Sequence, residues 1–96
     1  MSVVEATKPL SAVHARRMGV TFLGLRRKAK QLKRDGILTD DMDKQQKAEV
    51  LAAAMIADSQ DEFEACRAED GRDWESFFAA LMAFIEKIMP LIMMFL

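Results

Sequence analysis

From Ala15 the apolar residues Ala15, Met18, Phe22, Leu25, Ala29 and Leu32 recur at alternating steps of three and four. That spacing lines one face of an α-helix and forms a heptad seam that wants another helix against it. It predicts a first helix starting at a Thr7 or Ser11 cap and running to Arg34. Gly19 and Gly24 interrupt it, each costing about 1 kcal/mol relative to alanine in a helix interior. KRDGILTDDMD then reads as a stop at Gly36 and a new start capped by Thr39 or Asp40. The second helix is expected from about residue 40 to 57, with Met42, Leu51, Ala54 and Met55 inward and Lys44, Lys47 and Glu49 outward. Ser59 to Glu62 matches a capping box before a short acidic helix, about 60–69, that turns Phe63 and Cys66 inward. Gly71 stops it, and Asp73 caps a last helix from Trp74.

That last helix, about 74–96, is apolar around most of its circumference. Its less oily positions Ser76, Ala79, Ala80, Ala83, Glu86, Lys87 and Pro90 fall near one side. Pro90 is expected to kink or end it. The length suffices for a bilayer, which takes about 20 residues. Its ten Phe, Leu and Ile residues favour insertion by about −3 to −6 kcal/mol, whereas Glu86 and Lys87 near mid-span cost on the order of +5 to +7 kcal/mol. Burial among protein neighbours is therefore preferred over insertion. A small monomer has little with which to cover such a helix, so a subunit interface is expected at Phe77, Phe78, Ala79, Leu81, Met82, Ala83, Ile85, Ile88, Met89 and Ile92.

Composition agrees with this reading. Glycine and proline are sparse, at four and two of 96 residues, and tyrosine is absent, so the chain is expected to be all-α: one domain over 1–96, a bundle of three to four helices, oligomeric. The hairpin spans about 11–57. A single cysteine, Cys66, excludes an internal disulfide and fits a reducing, cytoplasmic setting or an intracellular assembly. The opening MSVVEATKPL lacks the pattern of a secretory signal.

Charge divides the chain. Residues 1–48 carry eleven Lys or Arg against five acids (+6), and residues 49–96 carry three against ten (−7). Arg26, Arg27, Lys28, Lys30, Lys33 and Arg34 form a candidate contact patch for an acidic surface. The same patch admits non-specific, salt-dependent contact with nucleic acid, though no aromatic platform accompanies it.

Leu32, Gly36, Ile37, Leu38, Thr39, Asp40, Asp41, Lys47 and Leu51 make the stretch Leu32–Leu51 resemble the SHOCT family of short helical domains. It departs at Met42, where the family's acidic cluster carries an aromatic, and at Gln46, where paired lysines are common. The resemblance implies oligomerisation or protein contact, with no catalytic residues to carry over.

Other chemistry finds no support. Aligning Gly36 with the glycine of a calcium loop puts Gln31, Lys33 and Met42 where oxygen ligands are needed. His14 is the only histidine, and the glycines at 19, 24, 36 and 71 form no phosphate-binding loop. The expectation is a non-enzymatic module with no metal, cofactor or small-molecule substrate, acting by self-association or as an adaptor. The alternative is a membrane-associated protein whose last helix enters or lies on the bilayer.

Overall fold

The computed structural model describes residues 8–96. Thr7 and most of MSVVEATKPL lie outside the described residues. Five α-helices follow in order: α1 Ala12–Arg17, α2 Phe22–Arg34, α3 Lys44–Asp58, α4 Gln60–Asp70 and α5 Trp74–Met94, with no strand among the described residues. Helices α2, α3 and α5 pack against one another, α4 leans on α3, and α1 on α4.

The expected first helix is two helices. Gly19 takes a φ of +74°, in the left-handed region that favours glycine, and ends α1. Thr21 then caps α2 by accepting a hydrogen bond from the Gly24 amide at 3.1 Å. Gly24 is required by this joint, because a Cβ there would stand 2.1 Å from the Gly19 carbonyl oxygen. The seam survives the break: Ala15, Met18, Leu25, Ala29 and Leu32 are buried and Phe22 is partly so. The break is why five helices stand among the described residues where three or four were expected.

The start of α3 also differs from expectation. Asp43, rather than Thr39 or Asp40, is the cap, in a reciprocal box with Gln46 at 2.8 and 2.9 Å. Thr39 instead donates its hydroxyl to Asp41 within the turn. Ser59 occupies the cap of α4, but its side chain makes no capping bond. It is also the last residue of the α3 joint, and the Glu62 carboxylate that would complete the box faces Arg17. Gly71 ends α4 and Asp73 caps α5 through the Ser76 amide at 2.8 Å, both as the sequence predicts.

Around α5 the core is continuous. Phe77, Leu81, Ile85, Met89 and Ile92 share one cluster with Leu25, Leu51, Phe63 and Cys66. The helix does not end at Pro90; it continues to Met94, with the proline on its exposed side and no N–H to offer the Glu86 carbonyl.

Candidate functional site

The ten residues expected at a subunit interface separate into two sets. Phe77, Leu81, Met82, Ile85, Met89 and Ile92 are buried inside the chain's own core, and Phe78 and Ile88 pack against it. The expectation that a small monomer cannot cover this helix is corrected for that side, because α2 and α3 supply most of the cover. Ala79 and Ala83 face outward, in a stripe continued by Lys87, Pro90, Leu91 and Met94. Ala80 belongs to the same side but is buried. Pro9 and Leu10 line a small cleft over it, about 190 Å³, with Ala83, Phe84 and Lys87. The Arg72 guanidinium holds that N-terminal stretch by donating to the Lys8 and Pro9 carbonyls at 2.8 Å each, while pairing with the largely buried Asp70.

The end of α5 gathers three exposed apolar side chains. Leu91, Met94 and Phe95 are 50, 73 and 54 % exposed, and Leu23 at the start of α2 is 66 % exposed. Phe95 is joined to α2 by an edge-on stack with Phe22, ring centres 5.9 Å apart, and by the Arg26 Nε donating to its carbonyl at 3.0 Å. Leu23, Arg26 and Lys30 lie three and four residues apart, hence on one side of α2.

The six basic residues are not equivalent. Lys28 pairs with Asp58 and Lys33 with Asp40 at 3.6 Å. Arg26, Arg27, Lys30 and Arg34 have no carboxylate partner among the described residues. The charge asymmetry of the halves is thus discharged only in part within the chain.

Sequence reasoning passed over a polar corner between α1 and α4. Arg17 donates to both oxygens of Glu69 at 2.8 and 2.9 Å and reaches Glu62 at 3.4 Å; His14 Nε2 stands 3.4 Å from Glu69. The hydrogen bond from Arg17 holds the Glu69 carboxyl below its ordinary range. Beneath lies Cys66, fully buried, its thiol pushed up by that burial, so the thiolate needed for nucleophilic attack is disfavoured. Cysteine, histidine and glutamate therefore meet here without forming an activated nucleophile. The spacing of Arg17 from Glu69, fifty-two positions, is why sequence alone did not reveal the pair.

A second opening, about 290 Å³, lies where α3 ends and α4 and α5 begin, lined by Ile56, Gln60, Asp61, Glu64 and Trp74. Trp74 is 41 % exposed and carries the Arg67 guanidinium over its ring at 5.6 Å. No group of three or more His, Cys, Asp or Glu suited to a metal occurs among the described residues.

No family model matches this chain, and neither the curated proteins nor the solved structures contain a match.

Proposed function

We propose that this chain is a non-enzymatic helical interaction module that self-associates through the C-terminal part of its apolar helix and serves as a structural or adaptor component. The observation that carries it is the exposed group Leu91, Met94 and Phe95 beside Leu23. Covering a large apolar side chain is favourable by about 1.5–3 kcal/mol, and water offers these four nothing in return. The SHOCT-like stretch around α2 and α3 supports the same reading. Light scattering of detergent-free protein over a concentration series tests it. A mass rising above 10.9 kDa is expected, and a monomer at every concentration overturns it.

A second reading, membrane association, is favoured by α5 itself, whose 21 residues include a window of mean hydropathy 1.9, together with Arg26, which reaches the Phe95 carbonyl at its apolar end, and Lys30 one turn further along α2. Fractionation of native cells separates the two. Quantitative recovery in a membrane pellet resistant to high salt would replace the self-association reading with this one.

A further inference from the structure

Resting on the self-association proposed above, we infer that the contact is head-to-tail: the apolar, basic end of one copy seats on the acidic cleft at Trp74 of a second copy. The donor end is Leu23, Met94 and Phe95, flanked by Arg26 and Lys30. The acceptor is the cleft of Ile56, Gln60, Asp61, Glu64 and Trp74.

Charge selects this pairing. Between Leu23 and Arg34 there are six basic residues and no acid, whereas residues 58–75 hold eight acids and two arginines. Two copies meeting donor end to donor end would bring Arg26 and Lys30 against their own counterparts, a like-charge contact that discriminates against that geometry. Donor to acceptor sets Lys30 against Asp61 and Arg26 near Glu64, which also pairs with Arg67, and it covers the exposed Trp74 and the half-buried Ile56 with apolar side chains. Among the described residues Asp61 has no ion-pair partner, as Lys30 has none.

One copy cannot satisfy both surfaces. Trp74 opens α5 and Met94 closes it, so the two surfaces lie about 30 Å apart at a rise of 1.5 Å per residue. The donor end must find its acceptor on another molecule. Such a heterologous contact leaves one free donor and one free acceptor at each step and grows into a ring or an open chain.

The test uses the full chain and two variants altered only at exposed positions. Lys30→Glu with Met94→Glu disables the donor, and Asp61→Ser with Glu64→Ser disables the acceptor without giving the new glutamates a basic partner; circular dichroism checks that each keeps its helices. By sedimentation, wild type is expected to exceed a dimer, and each variant alone to associate about tenfold or more weakly. An equal mixture of the two variants has one working junction and is expected to stop at twice the 10.9 kDa monomer mass. High salt is expected to weaken association of wild type, since the charges are exposed. If wild type associates but the variants do so equally well, or their mixture stays monomeric, the head-to-tail contact is overturned while self-association stands. A monomeric wild type overturns both, and its sedimentation with phosphatidylserine vesicles would give the donor end to lipid.

Discussion

Two regions hold the described chain together by different physics. Helices α2, α3 and α5 meet through side chains with no polar atoms to satisfy, among them Leu25, Leu51, Phe77, Leu81 and Ile85, all fully buried. At the outer corner, α1 and α4 add to their own buried Ala15, Phe63 and Cys66 the contacts of Arg17 with Glu69 and Glu62, while Arg72, paired with Asp70, holds two carbonyls of the N-terminal stretch. Apolar packing is non-directional and is not screened by salt, whereas charged contacts depend on geometry, screening and protonation. The hub therefore confers stability, and the corner orients the short α1 and the chain before it.

The sharpest way to expose that difference is Phe77→Ala. Removing a fully buried ring from the hub is expected to cost about 3–5 kcal/mol, and chemical denaturation should show the loss at low and high salt alike. Arg72→Ala should come next, at about 3 kcal/mol. It leaves Asp70 buried without its cation, and the pair is only 7 and 10 % exposed. Hydrogen exchange is expected to rise first in the turn after α4, while the amides of α3 and α5 stay protected.

Arg17→Ala is expected to cost far less than either, because its partners are exposed, and the cost should shrink with added salt. Should that variant lose as much stability as Phe77→Ala, the division between hub and corner fails. The mildest effect is acidification. The Glu69 carboxyl is held below its ordinary value of 4.5 by Arg17, so its contribution is complete above that value and fades as pH falls through the lower value of the folded state. Glu64 follows the same course beside Arg67. Acid should therefore loosen the wild-type corner before the hub, and Arg17→Ala should flatten that part of the titration.

Much of the hub was legible from periodicity. The seam of Ala15 to Leu32, the inward turn of Phe63 and Cys66, the stop at Gly71 and the cap at Asp73 all follow from local rules of spacing and capping. The joint at Gly19 was not legible, because a glycine inside a periodic pattern reads as a weak spot until the left-handed turn and the Thr21 cap are seen together. At the start of α3 four residues able to cap, Thr39, Asp40, Asp41 and Asp43, stand within five positions, and Asp43, not one of the two expected, prevailed because its box closes with Gln46. The polar corner was hidden for another reason, since residues so far apart in the chain carry no local signature of their contact.

The sequence by itself determined the helical class, most helix boundaries and the side of α5 that carries its small and polar positions, because helix geometry turns spacing into faces. Only the tertiary structure decided which side of α5 the chain covers. Phe77, Leu81, Ile85, Met89 and Ile92 are enclosed mainly by α2 and α3, and Ala79, Ala83, Leu91 and Met94 are left facing out. A helix apolar nearly all round offers several faces for burial, and the choice among them depends on how its neighbours cross it, which no local pattern encodes.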